Sequence, residues 1–216
     1  TNPELIAKNQ TPFNDPLTKK GLVIEIDMLS DAFDLGVKHV TTNIAFSQIM
    51  GTGIDYQYDG KTYHFNKGVV DAETEAGFDQ TKAIASFLAQ HYSGDNPNYG
   101  KVSNWIIGNE INNQQWNYMG PMDLTNYVKA YQKAFRVIYT AIKSTNANDR
   151  VYFSLDYNWM NEIDGKLKYG GKEIVDSFNS IANTQGQMDW GLAYHPYPCP
   201  MTEPEFWDDP QSTGLF

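Results

Sequence analysis

The sequence predicts an α/β protein whose strands form a parallel sheet or a barrel. Predicted helices and strands alternate along most of the chain, which is the pattern of strands joined by crossover helices. The predicted strands are rich in β-branched residues, which favour extended structure. With 216 residues, of which 41% are hydrophobic and 19% charged, the chain is long enough to bury a sizeable core.

The first part of the chain is predicted to hold an extended arm, two strands and a hairpin. Residues 1–20 are polar and contain three prolines, which indicates an arm that runs over the surface. Residues 21–26 are predicted to form a short strand, and residues 37–46 are rich in β-branched residues and predict a second strand, with a short helix between them. Asp59 and Gly60 separate two runs rich in aromatic residues, and this dipeptide predicts a hairpin turn.

From residue 75 onwards, helices and strands are predicted in turn. A helix over residues 75–92 follows from apolar side chains spaced three and four positions apart, and Asp123 is the predicted N-cap of the next helix. The remaining predicted elements are strands at residues 102–111, 151–155 and 188–194 and a helix at residues 172–182. The five strands predicted outside the hairpin are too few to close an eight-stranded barrel. The sequence therefore predicts either a small irregular domain or a chain with missing segments.

Composition excludes several classes of function. The net charge is −10, from 16 basic and 26 acidic side chains, and an acidic surface repels phosphate backbones, so nucleic acid is not an expected partner. No apolar run approaches the roughly 20 residues of a membrane span. Cys199 is the only cysteine, the four histidines lack ligand spacing and no glycine-rich phosphate loop is present. We therefore expect no disulfide within the chain, no metal and no cofactor.

The strongest candidate for chemistry is the pair Asn109 and Glu110, at the end of an apolar predicted strand. Cleavage of a glycosidic bond needs a carboxylic acid that protonates the leaving oxygen and a second carboxylate across the sugar. Glu110 is the predicted acid, because burial among apolar strand ends favours the protonated form of a carboxyl group. Asn109 is predicted to bind a sugar hydroxyl. The alternative is that Glu110 caps the next element or pairs with a lysine.

A second candidate segment follows the predicted strand 188–194, where His195 and Tyr197 precede a proline. Both side chains can form a hydrogen bond with a carboxylate or a sugar hydroxyl. The alternative for His195 is a structural histidine held by backbone groups. The parallel with the Asn109–Glu110 strand end favours the functional interpretation.

Polar and aromatic side chains also lie after the predicted strand 151–155 and in the loop that follows Glu110. Asp156 and Trp159 come after the strand 151–155, and Trp116 lies in the loop after Glu110. Sugar rings stack on indole rings, so both tryptophans are predicted to contact a sugar, although either could pack on the protein instead. Asp156 is predicted to bind substrate and is the one possible carboxylate partner of Glu110 within the chain.

Together these segments resemble the clan of retaining glycoside hydrolases with (β/α)8 barrels, also called TIM barrels. In that clan, an Asn-Glu pair at the end of strand four supplies the acid/base. The chain is most similar to an incompletely characterised bacterial family of cellulase-like barrel proteins, and the likeness extends from about residue 10 to residue 210. The residues that show this closer likeness are Lys20–Leu22, Leu35–His39, Tyr63–Phe65 and Asn158–Trp159.

The resemblance implies a single catalytic (β/α)8 barrel domain over residues 1–216 that is only partly represented. Strands one, two, four, five and six are assigned, and the third strand is missing between the hairpin and residue 75. Strands seven and eight are expected after Phe216. This interpretation places an internal break near residues 70–75.

The implied activity is hydrolysis of O-glycosidic bonds in a poly- or oligosaccharide with retention of configuration. Glu110 would be the acid/base and Asn109 would bind the 2-hydroxyl, while His195 and Tyr197 would support a nucleophilic glutamate outside this chain. Trp116 and Trp159 would line the cleft. A non-catalytic carbohydrate-binding protein on a degenerate barrel is the alternative. The resemblance also leads us to expect a bacterial monomer that is extracellular or periplasmic.

Overall fold

The computed structural model describes residues 22–24, 28–37, 39–44, 54–58, 61–65, 70–94, 98, 100–160, 165–197 and 205. The predicted arm at residues 1–20 lies outside this part of the chain, as does the predicted hairpin turn at Asp59 and Gly60. The described helices are α1 (Leu29–Asp34), α2 (Glu75–Tyr92), α3 (Leu124–Thr145) and α4 (Gly171–Gln185). The described strands are β1 (Leu22–Val23), β2 (Val40–Thr41), β3 (Ile54–Tyr58), β4 (Lys61–Phe65), β5 (Asn104–Ile106), β6 (Arg150–Leu155) and β7 (Trp190–Tyr194).

The described strands form three separate sheets. Strands β1 and β2 form a parallel pair, and β3 and β4 form the antiparallel hairpin that the sequence predicts. Strands β5, β6 and β7 form a parallel sheet in which β6 is central. Helix α3 connects β5 to β6 and α4 connects β6 to β7, as parallel pairing requires. The carboxyl ends of these three strands therefore lie along one edge of the sheet.

The (β/α)8 barrel expected from the resemblance is wrong for the described structure. A barrel needs eight parallel strands hydrogen-bonded in a closed ring, whereas the parallel strands here form one sheet of two strands and one of three. Alternation of helices and strands is a local pattern that the residues do specify. Closure depends on pairing between strands that are distant in sequence, which that pattern does not specify. The described elements form a small α/β arrangement.

The core lies between the three-stranded sheet and its helices. Phe153 of β6 and Phe178 of α4 are both fully buried, and their ring centroids lie 4.9 Å apart. Trp190 stacks on Phe153 at 5.1 Å, and Phe135 of α3 meets Phe178 edge to face at 5.1 Å. Such aromatic pairs contribute about 0.5–1.5 kcal/mol each beyond the burial of area. This cluster fixes the sheet against α3 and α4, and so fixes the strand ends.

Helix boundaries agree well with the sequence. Helix α2 spans Glu75–Tyr92, as predicted, and Asp123 is the N-cap of α3, where its carboxylate accepts a hydrogen bond from the Asn126 backbone N–H at 2.9 Å. The fourth helix is longer than predicted, since it spans Gly171–Gln185. Of the helices in the described part of the chain, none is long and apolar enough to cross a membrane.

Strand boundaries agree less well. The predicted strand at residues 102–111 is only Asn104–Ile106, because the chain turns at Gly108 and Glu110, both of which have positive φ. The predicted strand at residues 37–46 is reduced to Val40–Thr41 within the described residues. Both strands are therefore shorter than the composition of their segments predicts. Because β5 ends at Ile106, Glu110 lies in a turn and not in a strand.

Candidate functional site

The segment that follows β5 has an unusual backbone. Gly108 has φ +80°, and Glu110 has φ +47°, the only positive φ of a non-glycine residue in the described part of the chain. A glutamate in this left-handed region has a backbone strain of the order of 1–3 kcal/mol. Strain of this kind persists only where surrounding contacts fix the conformation, and it is frequent at functional sites.

Those surrounding contacts are hydrogen bonds from side chains to consecutive carbonyl groups of residues 107–111. Each donor comes from α3, from β6 or from the loop between β5 and α3. The bonds are Tyr131 Oη to Ile107 O, Ser154 Oγ to Gly108 O (3.2 Å), Asn117 Nδ2 to Asn109 O (2.6 Å) and Tyr127 Oη to Ile111 O. The backbone N–H of Asn113 donates to the remaining carbonyl, that of Glu110, at 2.8 Å. Every carbonyl of this segment therefore has a partner.

The two tyrosines that donate hydrogen bonds to this segment are buried, which favours those bonds. Tyr127 and Tyr131 are almost fully buried in the core, and desolvation raises the pKa of both phenols well above their usual value. Both hydroxyls therefore remain protonated and serve as donors. An unpaired buried hydroxyl would cost about 1–3 kcal/mol, so each tyrosine favours the turn that supplies its acceptor.

Ser154 contacts the segment through both its side chain and its backbone. Its hydroxyl accepts a hydrogen bond from the Glu110 N–H at 2.8 Å and donates to Gly108 O at 3.2 Å. Its carbonyl accepts a hydrogen bond from the Ile111 N–H at 2.9 Å. The residue is 1% exposed. Strand β6 thus holds the Glu110 backbone directly.

The Glu110 carboxylate meets His195 at the end of β7. The distance from His195 Nδ1 to Glu110 Oε1 is 2.8 Å, and the two side chains are 27% and 15% exposed. The His195 backbone is itself fixed by a hydrogen bond from its N–H to Leu155 O at 3.0 Å. Residues that are far apart in the sequence therefore form one carboxyl–imidazole pair across the edge of the sheet.

This pair can hold and transfer a proton. When Glu110 is ionised, Nδ1 of His195 must carry the proton of the shared hydrogen bond, and when Glu110 is protonated it can donate to Nδ1. Both side chains retain access to solvent, so a ligand could reach the second carboxyl oxygen. A partly exposed carboxyl group with a hydrogen-bonded imidazole suits general acid–base chemistry.

Asp156 lies at the same edge but has a different environment. It is 6% exposed, and its Oδ1 accepts hydrogen bonds from Asn112 Nδ2 and from the Asn158 N–H. Its Oδ2 accepts a hydrogen bond from Asn158 Nδ2 at 3.2 Å, and its own N–H donates to Asn112 Oδ1 at 2.9 Å. Asp156 thus links the loops after β5 and β6. Its predicted contact with substrate stays a prediction.

The aromatic candidates are placed in different ways. The Tyr197 ring is 42% exposed and meets the His195 ring edge to face at 6.0 Å. Trp159 is partly buried against the core and meets Tyr194 edge to face at 5.8 Å. Trp116 lies in the loop after β5 and is partly exposed. Tyr197 is therefore beside the Glu110–His195 pair, and the predicted sugar contacts of the two tryptophans stay predictions.

Sequence reasoning missed the residues that hold the Glu110 segment. One signal was available for Ser154, which is a polar residue inside an otherwise apolar predicted strand, directly before its end. Tyr127 and Tyr131 lie on the buried face of α3, where helical spacing alone indicates only a place in the core. Their hydroxyls point to carbonyl groups because of the tertiary packing, and no feature of the helical spacing indicates this.

Two other features of the described structure bear on where the site lies. No group of three or more His, Cys, Asp or Glu side chains within the described ranges could hold a metal ion. A depression of about 560 Å³ lies between the C-terminal parts of α3 and α4 and the start of β7, and its lining includes Lys143, Asn183 and Asp189. It contains none of the predicted site residues, and it is on the opposite edge of the sheet from Glu110. We place the candidate site at Glu110 because the strained backbone and the ionisable pair are there.

The chain matches the sequence profile of a family described as a family of unknown function (DUF5722), over residues 12–73 and 68–215. The chain therefore belongs to this family. The two matched segments overlap at residues 68–73, which includes part of the predicted internal break at residues 70–75, and that break stays a prediction. The chain has no significant match among curated proteins or among solved structures.

Proposed function

We propose that this member of the DUF5722 family is a retaining glycoside hydrolase that cleaves O-glycosidic bonds in a poly- or oligosaccharide. Glu110 is its general acid/base, and the nucleophilic glutamate that retention requires is proposed to lie outside this chain. The observation that carries the proposal is the Glu110 side chain itself, which extends from a strained backbone and lies 2.8 Å from an imidazole. The proposal does not depend on a barrel.

The strained backbone supports a functional role for Glu110. A turn that only connected β5 to α3 could use glycine or asparagine, which adopt positive φ with little strain. Here a glutamate adopts it, and the carbonyl groups on both sides of it, those of Asn109 and Ile111, have hydrogen-bonded partners. This arrangement fixes the direction of one carboxyl group, which is what a general acid requires.

The choice of glycosidic bonds rests on the neighbours of the pair. A glycosidase acid must reach the leaving oxygen while an adjacent polar group binds a sugar hydroxyl. Asn109 is exposed beside Glu110, and the exposed Tyr197 ring is beside His195. Amide and phenol groups recognise hydroxyl groups, and aromatic rings stack on the apolar faces of sugars.

The test is turnover of a panel of aryl glycosides and soluble polysaccharides by wild-type protein and by Glu110→Gln. We expect the variant to lose about 100- to 10,000-fold in kcat, the range that general acid–base catalysis supplies. Glu173→Gln, at an exposed position of α4, is the matched control and should keep wild-type activity. Wild-type rates in Glu110→Gln would overturn the assignment. The anomeric form of the first product, followed by NMR, tests retention.

A non-catalytic carbohydrate-binding protein is the second candidate. The observation that favours it is Asp156, whose two carboxyl oxygens are occupied by Asn112 and Asn158 and which is therefore poorly suited to be the second carboxylate. Calorimetric titration with oligosaccharides separates the candidates. Binding without turnover by the wild-type protein, unchanged in Glu110→Gln, would favour the binding protein.

A further inference from the structure

We propose that Ser154 is a positioning residue for Glu110, and that its hydroxyl determines where the Glu110 carboxyl group lies. The inference rests on the proposed role of Glu110 as the acid/base. It starts from one buried hydroxyl that bridges two backbone groups, the N–H of Glu110 and the carbonyl of Gly108.

The direction of the hydroxyl is fixed by its two partners. A serine hydroxyl has one proton, and here that proton is donated to Gly108 O at 3.2 Å. A lone pair of the same oxygen then faces the Glu110 N–H at 2.8 Å. The two bonded groups belong to Gly108 and Glu110, the residues with positive φ, so the bonds favour this turn over other conformations of the segment.

The backbone of Ser154 strengthens this effect. Its carbonyl accepts a hydrogen bond from the Ile111 N–H at 2.9 Å, so Ser154 binds two consecutive N–H groups of the turn. Ser154 belongs to β6, and the next residue, Leu155, binds the His195 N–H at 3.0 Å. Adjacent residues of one strand thus hold both members of the Glu110–His195 pair.

Removal of the hydroxyl should free the Glu110 backbone. At 1% exposure, the site of Ser154 is not open to bulk water, so the Glu110 N–H would lose its acceptor. We expect the left-handed turn to relax and the carboxyl group to move away from His195. A displacement of about 1 Å at a reacting group can lower a rate by about 100-fold. A purely structural serine would lower stability and leave both the pair and kcat intact.

The experiment compares Ser154→Ala with Ser154→Thr, which keeps the hydroxyl, and with Ser93→Ala, which removes another fully buried serine hydroxyl at the C-cap of α2. The first readout is kcat and KM on the best aryl glycoside. The second is the NMR signal of the hydrogen-bonded ring proton shared between His195 and Glu110, which needs no activity. Thermal unfolding shows whether each variant is folded under the assay conditions.

We expect Ser154→Ala to lose about 100-fold in kcat with little change in KM, and to lose the signal of the hydrogen-bonded ring proton. Ser154→Thr should retain both, and so should Ser93→Ala. A folded Ser154→Ala that keeps the ring-proton signal would overturn the positioning role, as would equal effects of Ser154→Ala and Ser93→Ala. If the wild-type protein has no glycosidase activity, the proposed function fails, and the NMR readout still decides the role of Ser154.

Discussion

Nδ1 of His195 lies 2.8 Å from Oε1 of Glu110, and this contact joins the ends of β5 and β7 across the central strand. The resemblance to barrel glycosidases implied that His195 supports the nucleophile. In the structure His195 instead contacts the residue proposed as the acid/base. His195 is therefore placed to orient the Glu110 carboxyl group and to exchange a proton with it.

This contact predicts the effect of His195→Ala on catalysis. Without the imidazole, Glu110 loses a hydrogen-bond partner and a direction for its carboxyl group, so kcat should fall by up to about 100-fold. KM should change little, because His195 acts through Glu110 and not through the ground-state substrate. Steady-state kinetics on an aryl glycoside measure both quantities.

The matched control for that prediction is His91→Ala. His91 is on α2, where its ring packs against Phe87 at 4.0 Å, and it is not part of the candidate site. It should keep wild-type kinetics. A loss in KM alone for His195→Ala would show that His195 binds substrate directly, contrary to this prediction.

The helices could be predicted because their signals are local. Thr74 caps α2 and Asp123 caps α3, each through its own side chain, and the apolar spacing within each helix depends only on neighbouring residues. The sheet could be predicted only in part. The parallel order of β5, β6 and β7 follows from the crossover helices, but a closed barrel requires pairing of β1 or β2 with distant strands, and the described structure lacks that pairing.

The candidate site was predictable where a residue type signals chemistry. Glu110 and His195 both follow apolar strands, and they do meet. Their support was not predictable in the same way. The phenols of Tyr127 and Tyr131 reach the β5 turn only because α3 packs against the sheet, and the turn itself ends β5 earlier than its apolar residues indicate.

The turn at Gly108 predicts a large effect of Gly108→Ala on stability. Its φ of +80° disfavours alanine by about 1–2 kcal/mol. A methyl group there would also lie 2.9 Å from Asn117 Oδ1 and 2.9 Å from Ile111 Cγ2, and such crowding costs about 1–3 kcal/mol more. We therefore expect the free energy of unfolding, measured with urea, to fall by about 2–5 kcal/mol.

Gly120→Ala separates crowding from backbone strain. Gly120 has φ +92° and no atom within 4 Å of an added methyl group, so this variant should lose only the strain component, about 1–2 kcal/mol. Equal losses in the two alanine variants would mean that the Gly108 turn is not closely packed. That result would also weaken the view that the Glu110 segment is rigid.

Asp71 predicts how the start of α2 responds to acid. The side-chain hydrogen bond from Thr74, with those from the backbone N–H groups of Thr74 and Glu73, holds the pKa of Asp71 below its ordinary value of 3.8. Since the folded protein binds this proton less readily than the unfolded chain, Asp71 stabilises the fold above pH 3.8, and the contribution is lost as the pH falls through the lower folded-state pKa. Asp71 is exposed, so the contribution is small, below about 1 kcal/mol.

Asp71→Asn should therefore be less stable than wild type at pH 7, with a difference that shrinks as the pH falls below 3.8, as measured by urea unfolding across that range. Thr74→Val, which removes the main cause of the lowered pKa, should reduce this pH dependence, and a difference between Asp71→Asn and wild type that stays constant with pH would contradict the assignment.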